Sequence, residues 1–69
     1  MITLEQIRIK LINEIKESGL SQSEIARRLN IKQQAVSQYI TGQTMPALDT
    51  FANLCKILDV SADEILGLK

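Results

Sequence analysis

Apolar residues recur along this chain at the three- and four-residue spacing of one helix face, in five separate stretches. No stretch alternates apolar and polar residues for long enough to indicate a strand. The pattern therefore predicts an all-α fold of five helices in a single domain, residues 1–69. The five stripes are Leu4, Ile7, Leu11 and Ile15; Ile25, Ala26 and Leu29; Val36 and Ile40; Leu48, Phe51, Leu54, Cys55 and Leu58; and Ile65 and Leu66.

Capping residues mark where these helices begin. Thr3, Ser21 and Ser61 each precede an apolar stripe, and each is followed three residues later by Gln or Glu. This is the capping-box pattern, in which two side chains satisfy the free N–H groups of the first helical turn. We therefore expect a capping box at the start of the first, second and fifth helices.

Asn30 and Gly42 mark the ends of the second and third helices. Both residue types tolerate a left-handed backbone, so a tight turn is expected at Asn30. The third helix is expected to run from about Gln33 to Ile40 or Thr41. Two short helices joined by such a turn form a helix-turn-helix unit. The same helix-ending role is predicted for Gly19 and Gly67.

Length and charge limit the classes of protein. A chain of 69 residues buries only about 60% of its unfolded surface, which leaves no room for an enclosed substrate cavity beside a complete core. Zero net charge counts against a strong non-specific binder of polyanions. Residues 19–48 nevertheless hold three basic residues and one acidic, whereas residues 49–69 hold two basic and four acidic. This asymmetry favours a nucleic-acid face in the middle of the chain.

The sequence offers no residues for catalysis or metal binding. It has no histidine and one cysteine, Cys55, on an apolar stripe, so Cys55 is expected to be a small core residue. No zinc site, catalytic constellation or cofactor is predicted. A cytoplasmic location is expected because polar residues interrupt the N-terminal apolar residues. These interruptions are Glu5, Gln6, Arg8 and Lys10.

The outward face of the third helix is rich in neutral amides. Gln33, Gln34 and Gln38 lie within six residues, with Ser37 between them. A glutamine amide offers a donor and an acceptor together, so it can pair with adenine N6 and N7 in the major groove. Alternatively, each glutamine is simply a soluble residue with a good helix propensity. The helix-turn-helix frame favours base reading over this alternative.

The run from Gln22 to Gly42, QSEIARRLNIKQQAVSQYITG, resembles the repressor and Cro type (XRE-like) of helix-turn-helix family from bacteriophages and bacteria. The later segments PALDTF and LDVSADEIL resemble the fourth and fifth helices of that family. The resemblance covers nearly the whole chain. It implies a sequence-specific DNA-binding transcriptional regulator, acting as a repressor, that binds a palindromic operator in double-stranded DNA. The alternative is an antitoxin-like module whose main partner is a protein.

The resemblance also implies roles for individual residues. Gln22 matches a position that meets a phosphate at a helix N-terminus, where the helix dipole favours an anion. Lys32 stands where the family has a Ser or Thr cap, and it is either a phosphate contact or a plain surface lysine. Gln33 is placed to reach both a base and Gln22. The implied base-reading residues are Gln33, Gln34, Ser37 and Gln38. The implied phosphate contacts are Gln22, Lys32, Gln43 and Thr44, the last two through the backbone.

Two apolar groups carry further expectations. Ile15 and Ile40 stand where the family pairs an arginine with a glutamate, and an apolar pair can replace a buried ion pair at little cost. Their side chains are predicted to touch. Relatives commonly dimerise through the C-terminal helices, so a homodimer is expected with Ile65, Leu66 and Leu68 near the two-fold axis. Alternatively, these three residues only cap the core.

Overall fold

The structure, a computed structural model, describes residues 1–69 and contains five helices and no strand. The predicted all-α fold of five helices is therefore confirmed. None of these helices is both long and apolar enough to span a lipid bilayer. The helices are α1 (Leu4–Glu17), α2 (Gln22–Leu29), α3 (Gln33–Thr41), α4 (Leu48–Leu58) and α5 (Ala62–Leu66).

A small aliphatic core holds the five helices together. The side chains of Ile25, Val36 and Leu54 are fully buried, and they come from three different helices. Ala26 is also buried, and its small side chain allows α2 and α3 to approach closely. No polar residue is buried in this core, so apolar packing between helices positions α3.

The N-terminal caps differ from helix to helix. At α1 the capping box is complete, because Thr3 and Gln6 each accept a hydrogen bond from the backbone N–H of the other. At α2 and α5, Ser21 and Ser61 accept hydrogen bonds from the N–H groups of Glu24 and Glu64, but neither glutamate side chain reaches back. The predicted boxes at Ser21 and Ser61 were therefore wrong in their second half. At α2 the physical reason is that the Glu24 carboxylate binds two arginines instead.

The predicted helix ends are confirmed. Asn30 has φ 57° and ψ 46°, and Gly42 has φ 81°, so both adopt the left-handed conformation that ends a helix. Gly19 and Gly67 also have positive φ. Asp59, for which no helix-ending role was predicted, ends α4 with φ 56°. Its signal was available, because aspartate shares with asparagine a tolerance for this conformation.

Ile15 and Ile40 belong to the same hydrophobic core. Ile15 is buried, and the half-buried Ile40 packs against the buried cluster. Neither side chain has a polar group that would need a partner in this position. Direct contact between these two side chains stays a prediction.

Candidate nucleic-acid interface

The turn between α2 and α3 is fixed by backbone hydrogen bonds. The N–H of Asn30 donates to the carbonyl of Arg27 (3.2 Å), and the N–H of Ile31 donates to the carbonyl of Ala26 (3.0 Å). Ile31 is half-buried and packs against the core. Because the turn is bonded on one side and anchored on the other, α3 is held in a defined orientation against α2.

The four predicted base-reading residues share one side of α3. At about 100° per residue, positions 33, 34, 37 and 38 fall within an arc of about 140°. Gln33 and Gln34 are exposed, whereas Ser37 and Gln38 are half-buried. Val36 lies outside this arc and is fully buried. The structure therefore brings the predicted residues together on one face of α3, while the opposite face packs in the core.

The amides on this face differ in what they bind. The Oγ of Ser23 donates a hydrogen bond to the Oε1 of Gln33, with the two atoms 3.0 Å apart. The hydrogen bond that Gln33 makes to α2 is therefore with Ser23, and none joins Gln33 to the expected Gln22. The side-chain amides of Gln34 and Gln38 make no hydrogen bond within the protein, so their donors and acceptors are available to a ligand.

The N-terminus of α2 offers free backbone donors. The N–H groups of Gln22 and Ser23 have no backbone acceptor, while the N–H of Glu24 is taken by the hydroxyl of Ser21 (3.1 Å). The side chain of Gln22 is half-buried and makes no hydrogen bond within the protein. Unpaired N–H groups at a helix start attract anions such as phosphate.

The basic residues of the helix-turn-helix unit divide into two kinds. Arg27 and Arg28 both bind the carboxylate of Glu24, with the Nε of Arg28 2.7 Å from it. Hydrogen bonds from Arg28 and then Arg27 hold the pKa of Glu24 below its usual value. Lys32, by contrast, is exposed and has no ionic partner. Of the three basic residues, only the ammonium group of Lys32 is unengaged.

In the segment after α3, the backbone N–H groups that were expected to contact phosphate are bonded within the protein. Gln43 and Thr44 are exposed, but their N–H groups both donate to the carbonyl of Gln38, at 3.0 and 3.4 Å. These N–H groups close the C-terminus of α3, so they are not free to bind a phosphate through the backbone. A phosphate contact at either residue would use its side chain.

The three residues predicted at a dimer axis differ in exposure. Ile65 is only 2% exposed and belongs to the protomer's own core, so it supports the C-terminal surface from beneath. Leu66 is half-buried, whereas Leu68 is 66% exposed. The burial of Ile65 agrees with the alternative prediction that these residues cap the core. Among the three residues, the exposed apolar surface comes mainly from Leu68.

Cys55 lies in the core, as its apolar stripe indicated. Its side chain is 5% exposed, and burial raises the pKa of the thiol. A buried thiol with a raised pKa is a weak nucleophile. Cys55 therefore acts as a small apolar residue in the packing of α4.

The sequence of this chain matches the model of a known protein family. A family model described as helix-turn-helix matches residues 9–65, which span most of the chain from the middle of α1 into α5. No curated protein and no solved structure matches the chain. The matched range contains α2, α3 and the turn between them, and it also contains Gln43 and Thr44. It therefore includes every predicted base-reading and phosphate-contacting residue.

Proposed function

This chain belongs to the Cro/C1-type helix-turn-helix family of DNA-binding regulators, and from that premise we propose that it is a repressor that reads operator DNA in the major groove with α3. Occupation of an operator by such a domain excludes other proteins from the same stretch of DNA. Sequence recognition comes from base edges, and affinity comes largely from the phosphate backbone.

The observation that carries this proposal is the exposed amide face of α3. Gln34 and Gln38 have free amides, and Ser37 lies on the same arc. Glutamine pairs bidentately with adenine through N6 and N7, and a serine hydroxyl pairs with several bases. Because the turn at Asn30 holds α3 firmly, these side chains approach a groove as a rigid set, which reduces the entropy lost on binding.

Phosphate contacts on either side of the groove orient the helix. Gln22 and the free N–H groups at the start of α2 provide one contact, and the ammonium group of Lys32 provides a second. The side chains of Gln43 and Thr44 provide contacts beyond the end of α3. With only one unpaired basic residue in the unit, we expect a shallow dependence of affinity on salt.

A palindromic operator fits a two-fold symmetric pair of these domains. Two α3 helices related by a dyad read half-sites about 34–36 Å apart along the DNA. We propose that the C-terminal surface around Leu66 and Leu68 forms the contact between protomers, with Ile65 supporting it from the core. Contiguous exposed apolar surface, unlike single exposed side chains, commonly marks an interface.

Selection from random duplex DNA tests the proposal. The purified protein is incubated with a random pool at about 150 mM salt, where non-specific attraction to phosphate is weakened, and the retained DNA is sequenced. We expect an enriched inverted repeat that Gln34→Ala and Gln38→Ala each alter at a different base pair. Asn53→Ala is the matched control, because Asn53 is an exposed amide on α4, outside the α3 face.

The two outcomes separate the two functions. An inverted repeat that is unchanged by Asn53→Ala but changed by the glutamine variants supports the repressor. Absence of any enriched sequence would contradict direct reading by α3. The antitoxin-like alternative would then take precedence, and it would be supported by a stoichiometric complex with the product of a neighbouring gene.

A further inference from the structure

The side chain of Arg8 reaches from α1 to the end of α3. A Cβ at Gly42 would lie 3.2 Å from the Cδ of Arg8 and 3.8 Å from its Nε. The side chain of Arg8 is only 26% exposed, and its Nε is buried without a hydrogen-bond partner. The stem of this arginine therefore packs over the backbone at Gly42, where a larger residue would crowd it.

The end of α3 has no charged side chain of its own. No residue from 33 to 48 is charged, so neither α3 nor the segment after it contains a cation. The carbonyl groups at the C-terminus of a helix carry a partial negative charge, which repels a phosphate. Because Arg8 brings a full positive charge to Gly42 from a different helix, it makes this end of α3 attractive to an anion.

The ion pair that Arg8 makes is open to exchange. Its Nη1 binds the carboxylate of Glu5, which lies three residues earlier on α1 and is 63% exposed. Surface ion pairs are weak, because water and salt compete for both groups. A guanidinium has several N–H donors in one plane and binds a phosphate through two parallel hydrogen bonds. A phosphate of DNA can therefore replace Glu5 without a loss of hydrogen bonds.

We propose that Arg8 is a phosphate-binding residue of the DNA interface, contributed by α1, which exchanges Glu5 for a phosphate beyond the end of α3. This inference rests on the proposed function. Lys32 lies at the start of α3 and Arg8 at its end, so the two cations are separated by about 15 Å along the helix axis. The neutral amide face of α3 lies between them, which places a charged phosphate contact on each side of the base-reading residues.

The dependence of DNA binding on salt tests the proposal. Kd values of the full chain for the selected operator are measured from about 50 to 300 mM salt. We expect Arg8→Gln to weaken binding about tenfold at low salt and to make the negative slope of log K against log salt less steep by about 0.9 for each protomer bound. The base preference should not change, because phosphate contacts carry no sequence information. Arg8→Lys keeps the charge and should keep most of the slope.

Lys16→Gln is the matched control. Lys16 is an exposed basic residue on the same helix and makes no ion pair. Its substitution removes the same charge from α1, so it should leave the slope unchanged. An equal change in slope for Lys16→Gln and Arg8→Gln would overturn the proposal, because it would show a general effect of net charge.

Substitution of Glu5 tests the exchange of partners. Glu5→Gln frees the guanidinium of Arg8, and we expect it to tighten DNA binding more than Glu17→Gln, which removes a charge from an exposed, unpaired glutamate of α1. In an Arg8→Gln background the two glutamate variants should have equal effects, since interacting residues lose their coupling when one is removed. Equal effects already in the wild-type background would overturn the exchange.

Two further measurements separate the alternatives. If Arg8 only stabilises the fold, Arg8→Gln should lower the thermal midpoint and leave the salt slope as it is, which would overturn the proposal. Binding to a duplex of unrelated sequence at low salt should show the same change in slope, because it depends on phosphates alone. A changed slope on that duplex, in a protein that selects no sequence, would locate the failure in the proposed function. An unchanged slope on a selected operator would overturn the role of Arg8 alone.

Discussion

Among single residues, Gly42 is constrained in two ways. Its φ of 81° lies in the left-handed region, and a Cβ at this position would lie 3.2 Å from the Cδ of Arg8. Arg8 reaches this point from α1 while its guanidinium binds Glu5, and its Nε is buried without a partner. The side chain of Arg8 therefore brings α1 close to the end of α3 at Gly42.

Substitution at Gly42 separates these two constraints. We expect Gly42→Ala to lower the free energy of unfolding by more than Gly19→Ala, as measured by urea denaturation. Gly19 has a similar φ of 76° but no atom within 4 Å of an added Cβ, so it carries only the left-handed cost of about 1–2 kcal/mol.

The contact with Arg8 accounts for the difference. In an Arg8→Ala background the two glycine variants should lose equal stability. Equal losses already in the wild-type background would mean that Arg8 moves aside freely and does not brace α3.

At the level of elements, α3 begins without a side-chain hydrogen bond at its N-cap. Lys32 occupies the N-cap position with an extended backbone but provides no side-chain hydrogen bond. Ala47 leaves α4 uncapped in the same way. A serine at an N-cap accepts a hydrogen bond from the first turn and typically stabilises a helix by about 1 kcal/mol.

Lys32→Ser should therefore change stability and DNA binding in opposite directions. We expect the free energy of unfolding to rise by about 1 kcal/mol. The negative slope of log K against log salt should become less steep by about 0.9, because one phosphate contact is lost. Ala47→Ser is the control, with a similar gain in stability and an unchanged slope. If the slope also stays unchanged in Lys32→Ser, Lys32 is a plain surface lysine.

The charge cluster on α2 predicts a dependence of stability on pH. Hydrogen bonds from Arg28 and Arg27 hold the pKa of Glu24 below its usual value of 4.5. A carboxylate with a lowered pKa in the folded state stabilises the protein above its unfolded-state pKa, and this contribution disappears as the pH falls through the folded-state pKa. The effect should be small because both arginines are exposed and solvent screens the ion pairs.

Glu24→Gln should remove this contribution. The wild type should be more stable than Glu24→Gln at neutral pH, and the difference should vanish as the pH falls well below about 4.5, as followed by urea denaturation at each pH. Glu17→Gln is the control, since Glu17 is exposed and makes no ion pair. A difference that persists at low pH would show that the glutamine acts through helix propensity rather than through charge.

At the scale of the whole molecule, exposed apolar side chains lie outside the α3 face. Leu68 is 66% exposed after α5, and Ile9 is 51% exposed on α1. A chain of this size cannot bury all its apolar residues, so exposure alone does not identify an interface. Symmetry supplies the further requirement, because a palindromic operator needs a pair of protomers with α3 helices one DNA turn apart.

Leu68→Lys tests the proposed contact between protomers. We expect this variant to sediment as a monomer where the wild type is a dimer, and to lose affinity for a full operator more than for a half-site. Ile9→Lys, which places the same charge on an apolar side chain of similar exposure, should leave the dimer intact. Dissociation by Ile9→Lys instead would move the interface to α1.

The sequence by itself determined the helices and the side of α3 that faces solvent. Periodic apolar residues, Thr3, Asn30 and Gly42 act through local backbone geometry, which depends on residues close in the chain. That is why all five helices and the amide face around Gln34 could be predicted before any packing was known.

Only the tertiary structure decided which side chains meet across helices. Ser23 rather than Gln22 holds Gln33, Arg8 approaches Gly42, and Ile65 enters the core instead of the surface. Each of these outcomes joins residues that are distant in the chain or depends on how whole helices pack. Local patterns carry no information on such distances, because the crossing of helices is set by the core as a whole.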